Sequence, residues 1–118
     1  MLSEAIHVAV PTAFDKDENL DTIATIKHIQ HLAEAGVRSV LLAGSTGEQH
    51  SMSTDEKIEL AKAVNKTSIS HDLECLFGVS AVRQKDAENL LTALNELDSI
   101  KAILLGFPPY IRRCQKEL

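Results

Sequence analysis

Val40-Leu41-Leu42-Ala43-Gly44-Ser45-Thr46-Gly47-Glu48 carries an apolar run straight into two glycines that bracket two hydroxyls, with a carboxylate next. The run Val37 to Ala43 is too short for a helix, is rich in Val and Leu, and lacks strict alternation. That is the pattern of a strand buried on both faces. Beyond it, the glycines let the backbone turn tightly and come close to a ligand. Ser45 and Thr46 offer hydroxyls and N–H groups at the carboxyl end of a parallel strand, where α/β folds bind their ligands. Donors of this kind, with no cation among them, suit a small carboxylate or phosphate. Taken alone, the same four residues also read as an ordinary strand-to-loop turn.

Upstream, Ile6 to Val10 runs into Pro11-Thr12 and predicts a first strand, and Asp15-Lys16-Asp17-Glu18-Asn19 reads as a polar turn. A helix fits Asp21 to Ala35. Asp21 caps it, Ile23, Ile26, Ile29 or Gln30, Leu32 and Ala33 form its buried face, and Gly36 ends it. Downstream, Ser53-Thr54-Asp55-Glu56 is a capping-box signature, and the helix behind it carries Ile58, Ala61 and Val64 on one face as far as Lys66. Leu73 to Val79 predicts a third strand, ending in Gly78-Val79-Ser80-Ala81. Gln84 to Leu97 predicts a helix that buries Ala87, Leu90, Leu91 and Leu94. Ala102 to Leu105 predicts a fourth strand, leading into Gly106-Phe107-Pro108-Pro109-Tyr110.

The order β-α-β-α-β-α-β, in units of about 30 residues, implies a parallel sheet with right-handed crossovers. Both a small doubly wound sheet and one half of an eight-stranded barrel satisfy it. The chain stops at Gln115-Lys116-Glu117-Leu118 as a further helix begins, which favours the half-barrel.

Composition narrows the function. With 118 residues the chain makes one domain, 1–118, and 44% apolar with 25% charged residues is ordinary for a soluble globular protein. A net charge of −5, no basic cluster, and only three Phe, one Tyr and no Trp argue against nucleic acid. No stretch approaches the roughly 20 apolar residues of a membrane span, and Met1 to Val10 lacks a signal peptide's basic start. Cys75 and Cys114 have no framework spacing and read as reduced thiols, Cys75 in the core; the expected compartment is the cytoplasm. No metal is expected. His28 and His31 lie three apart on a helix without a third ligand nearby, and His50 reads as a solvated loop residue. His71 with Cys75 makes no zinc pair, and Asp15, Asp17 and Glu18 lack a calcium loop's glycine.

Several stretches together resemble one family. Val8-Ala9-Val10-Pro11-Thr12-Ala13-Phe14 looks like the first strand and loop of the dihydrodipicolinate synthase and N-acetylneuraminate lyase family. Leu42 to Glu48, followed by Ser53 to Lys57, is similar to its Gly-x-x-Gly-Glu signature. Gly78-Val79-Ser80-Ala81 resembles its third strand end, and Pro109-Tyr110-Ile111-Arg112 with Gln115 its tyrosine loop. The resemblance covers essentially the whole chain, in order. It implies a (β/α)8 barrel of about 250 residues or more, of which this chain would hold the first four β/α units.

It further implies a class I aldolase without cofactor or metal, homo-oligomeric as a dimer or tetramer. In it, a lysine forms a Schiff base with pyruvate, as in 4-hydroxy-tetrahydrodipicolinate synthesis for lysine biosynthesis. Residue by residue, Ser45 corresponds to a proton-relay hydroxyl and Thr46 to the residue binding the pyruvate carboxylate. Tyr110 corresponds to the relay tyrosine, which in many members crosses a dimer contact. Gly44 and Gly47 would shape the loop, and Glu48 would bond backbone N–H groups.

Departures accompany the match. Pro109, Ile111 and Arg113 stand where synthases have tyrosine, asparagine and proline. Gly-Ser-Thr-Gly leans toward the lyase branch, whereas Tyr-x-Arg-x-x-Gln leans toward the synthases. The Schiff-base lysine falls beyond residue 118. Lys16, Lys27, Lys57, Lys62, Lys66, Lys85 and Lys116 read as polar-face or loop residues, and Lys101 starts its strand, so none is placed to be desolvated and the chain alone should form no Schiff base. A non-catalytic keto-acid-binding α/β domain is the reading from another class. A flavodoxin-like domain would need a phosphate loop where Pro11-Thr12-Ala13-Phe14 stands.

Overall fold

Four apolar runs become one parallel sheet in the computed structural model, which describes residues 4–67, 73–80 and 83–106. The strands are β1 (Val8–Ala9), β2 (Ser39–Leu42), β3 (Glu74–Val79) and β4 (Ile100–Leu105). Between them run the helices α1 (Thr22–Glu34), α2 (Thr54–Lys66) and α3 (Gln84–Leu94), and a short 3-10 turn, Gln49–Ser51, precedes α2.

The sheet order is β1-β2-β3-β4, every pair parallel. That order separates the two architectures the periodicity left open. A doubly wound sheet reverses its strand order at a switch point, whereas this sheet steps one way, as a barrel does. Val40 sits between Val8 and Cys75, and Leu42 lies opposite Phe77. Between β3 and β4 the register slips: Cys75 pairs with Ile100 but Leu76 with Ala102, leaving Lys101 as the extra residue of a bulge.

The helices pack in sequence, α1 against α2 and α2 against α3. Val40, Leu42, Phe77 and Val79 from the sheet meet Ile29, Leu60, Ala61, Val64, Leu90 and Leu94 from the helices in one core. Asp21 caps α1 by accepting from Ala24 N, and Ser53 with Glu56 forms the expected capping box. The turn between Phe14 and Leu20 is held by Asp15, whose carboxylate accepts from Asp17 N and Asn19 N.

Three expectations need correction. Ile23 is 81% exposed, not part of the buried face of α1. It lies six positions before Ile29, about one and two-thirds turns, and so projects from the other side. The buried position one turn before Ile29 is Thr25, whose hydroxyl donates to Asp21 O at 2.8 Å and accepts from Ala13 N at 2.9 Å. The first strand is shorter than Ile6 to Val10, because on this edge only Val8 and Ala9 pair in register, with Val10 N donating to Leu41 O. α3 ends at Leu94, three residues before the expected Leu97.

Candidate functional site

The loop after β2 is shaped by strain at residues other than its glycines. Ala43 (φ 53°) and Glu48 (φ 57°) hold the left-handed conformation, which L side chains adopt only when surrounding structure imposes it. Gly44 and Gly47 have no positive φ. Their role is close packing rather than a left-handed turn: a Cβ on Gly47 would sit 2.9 Å from Val10 O and 3.0 Å from Ala43 N. Gly78, on β3, is tighter still, with Ala43 O 2.5 Å from where its Cβ would be. Thr12 completes the lock, its buried hydroxyl donating to Gly47 O at 2.7 Å. The ends of β1, β2 and β3 are thereby drawn together at backbone contact.

Above this junction lies a pocket of about 370 Å³, lined from all four strand ends: Ala9, Leu41, Gly44, Ser45, Thr46, Gln49, Gly78, Ser80, Leu104 and Gly106. Ser45 and Thr46 are exposed to it, and Gly44 forms part of its wall. Gly47 lies behind the wall, and Tyr110 falls outside the described residues. Glu48 shapes the loop through its backbone: Glu48 N donates to Ser45 O, and its side chain makes no capping bond to the 3-10 turn it precedes. Two wall residues that sequence reading passed over are Gln49 and Ser80. Their side-chain oxygens, Gln49 Oε1 and Ser80 Oγ, are buried and lack a hydrogen-bond partner among the described residues.

Lys57 overturns the reading that no lysine is desolvated. It is buried on α2, and its Nζ donates to Ser80 O at 3.4 Å. Burial pulls its pKa below the ordinary lysine value, with the Asp86 carboxylate pulling the other way. Lys57, Ala61 and Val64 share one stripe at i, i+4, i+7, and flanking by both α1 and α3 widens what that stripe buries. The spacing was visible; the second flanking helix was not. Lys57 does not line the pocket, and no lysine is among the described residues that do.

Elsewhere, Cys75 is a core residue, its thiol pushed up to about 11 by burial. His28, His31 and His50 are exposed, and His71 and Cys114 lie outside the described residues. Among the described residues no cluster of His, Cys, Asp and Glu could hold a metal ion, and no helix is long and apolar enough to cross a membrane.

Known proteins share this arrangement. The profile of the dihydrodipicolinate synthetase family matches residues 2–118. A 4-hydroxy-tetrahydrodipicolinate synthase from Corynebacterium diphtheriae is 33% identical over 113 residues, covering 96% of this chain and 37% of that protein. N-acetylneuraminate lyase from Proteus mirabilis superposes with a TM-score of 0.82 at 24% identity, over 94% of this chain and 37% of the lyase. YagE, an E. coli K12 prophage protein of the dihydrodipicolinic acid synthase family solved with pyruvate, gives a TM-score of 0.82 at 22% identity, over 95% of this chain and 37% of its own. The chain thus spans a little over a third of the length of these relatives. A profile running from residue 2 to residue 118, over a parallel sheet wound in one direction, places the chain in the dihydrodipicolinate synthetase family as part of a (β/α)8 barrel.

Proposed function

We propose that this chain carries the keto-acid-binding half of a pyruvate-dependent class I aldolase, a lyase of the dihydrodipicolinate synthase type. The observation that carries the reading is the placement of Ser45 and Thr46. Both are exposed at the rim where four parallel strands finish, on a pocket that no cation or carboxylate lines among the described residues. Hydroxyls and backbone N–H groups in that position orient a carboxylate by hydrogen bonds, and orientation is most of what an aldol reaction asks of its binding site. In this reading Thr46 holds the pyruvate carboxylate, and Ser45 passes protons to Tyr110 as carbon–carbon bonds form or break. The nucleophilic amine belongs to a lysine outside these 118 residues. The working protein is a cytoplasmic homo-oligomer in which Tyr110 reaches a neighbouring site. Pyruvate in the related YagE supports the keto acid.

Adding pyruvate with borohydride to the chain separates the outcomes. Saturable binding without a trapped adduct is expected, with binding weakened about ten-fold or more by Thr46→Val, the order of one charge-assisted hydrogen bond. A trapped adduct would overturn the argument from the lysines, and an undiminished Thr46→Val affinity would overturn the carboxylate assignment. An N-acetylneuraminate lyase-type reaction is the second reading, favoured by the Gly44-Ser45-Thr46-Gly47 sequence. The choice of aldehyde partner distinguishes it.

A further inference from the structure

We infer that the outer face of α2 is an interface with a second copy of this chain, the two α2 helices lying antiparallel about a two-fold axis. The face shares no residue with the pocket at the strand ends, so the inference goes beyond the keto-acid reading and does not depend on it.

α2 buries Lys57, Leu60, Ala61 and Val64. On its other side lies a groove of about 500 Å³, walled from α1 by Thr22. Its remaining lining comes from α2: the exposed, charged Asp55, Glu59, Lys62 and Lys66, with the half-buried Ile58 and Ala63. The four charges follow at spacings of four, three and four residues. They therefore form one stripe about 17 Å long.

Both acids come first along the stripe and both lysines last. Within a single helix this order is unfavourable, because Asp55 with Glu59 and Lys62 with Lys66 are like charges one turn apart. Interleaving the signs at the same positions would make stabilising pairs of them. The helix dipole accounts for Asp55 in the first turn and Lys66 in the last. Its effect fades before Glu59 and Lys62. Among the described residues none of the four has an ion-pair partner.

A second copy resolves the arrangement. Asp55 with Lys66, Glu59 with Lys62, and Ile58 with Ala63 are each placed symmetrically about the midpoint between Leu60 and Ala61. A two-fold axis through that midpoint sets every acid of one helix opposite a lysine of the other, and the large Ile58 opposite the small Ala63. All six α2 residues of the groove are then used, and none faces a like charge. A parallel pairing in register would set like against like. For the pairs at both ends to meet, the helices must cross at a shallow angle, about 20° as in helix bundles.

The test reverses charges at exposed positions of the 118-residue chain. Glu59→Lys alone sets lysine against lysine, and Lys62→Glu alone sets acid against acid, so each should self-associate more weakly than the parent. Mixed in equal amounts, the two variants restore every pair. With one chain isotopically labelled, native mass spectrometry separates the mixed dimer from the two self-dimers. The mixed dimer is expected to exceed either self-dimer about ten-fold, the order of several exposed ion pairs acting together. The chain carrying both reversals should pair with itself as the parent does. Mixed and self-dimers in purely statistical proportion would overturn the inference, since association along β4 or any other surface gives that result. A parent that forms no dimer would overturn it too, as would a double reversal that pairs as weakly as the single ones.

Discussion

Gly78 shows how a residue's absence of side chain is used. Its would-be Cβ points at Ala43 O 2.5 Å away, in the left-handed bend just past β2, so backbone must shift to admit it. Gly78→Ala is therefore expected to cost about 1–3 kcal/mol through forced backbone shifts, read as a lower urea midpoint, and to loosen the junction beneath Ser45 and Thr46. Two buried titratable groups act in opposite directions at alkaline pH. The folded pKa of Lys57 lies below its ordinary 10.5, so between the two values the unfolded chain binds more protons and stability rises with pH. Cys75 moves from 9.0 to about 11, so over that interval the folded state retains a proton the unfolded chain has released, and stability falls. Its slope reaches at most about 1.4 kcal/mol per pH unit. Denaturation midpoints measured from neutral pH upward should show Lys57→Met losing the rise and Cys75→Ala losing the fall. Parallel curves for all three proteins would refute both assignments.

At the scale of the element, the helix starts differ in quality. α2 has a complete capping box: Ser53 Oγ accepts from Glu56 N and Glu56 Oε1 from Ser53 N, both at 3.1 Å. Ser53→Ala should lower stability by about 1 kcal/mol. α3 begins at Arg83, which has suitable extended backbone for a cap but makes no side-chain capping bond, and places a cation at the positive end of the helix. Arg83→Asp is expected to raise stability by about 1 kcal/mol, visible as a higher melting temperature. An unchanged or lower value would mean that the side chain does something at that end which capping does not capture. The caps of α1 and α2 were legible in the chain, since a cap is written in four adjacent residues, whereas α3 offered none to read. The face of α1 was only half legible, because Thr25 looks polar on paper and is buried through two backbone hydrogen bonds.

At the scale of the whole molecule, β4 is an edge of the sheet among the described residues. β4 is six residues long, with Leu104 56% and Leu105 67% exposed, whereas its neighbour β3 is buried along five of its six residues. A parallel strand is stable when covered on both faces, and an exposed apolar edge invites pairing with another chain. Size-exclusion chromatography with light scattering is expected to show mass rising with concentration. Leu105→Lys should shift the chain toward monomer, and a concentration-independent monomer in the parent would end the argument. The same openness bears on the site. Among the described residues Leu104 and Gly106 line the pocket from the β4 side, so a partner along this edge would also change the ligand's surroundings.

What the chain alone determined is everything written in short range: the alternation of strands and helices, the caps at Asp21 and Ser53, and the two hydroxyls at the end of an apolar strand. Hydrophobic period and capping act over a few residues, so they survive being read one residue after another. The tertiary structure decided the rest. It set the one-way strand order, revealed that Gly47 and Gly78 serve contact rather than turning, and buried Lys57 under a second flanking helix. It also brought Gln49 and Ser80 to one pocket from positions 31 residues apart. These depend on which surfaces meet. Local sequence pattern does not contain that information, because a residue's neighbours across a sheet or between helices are set by the packing of the whole chain.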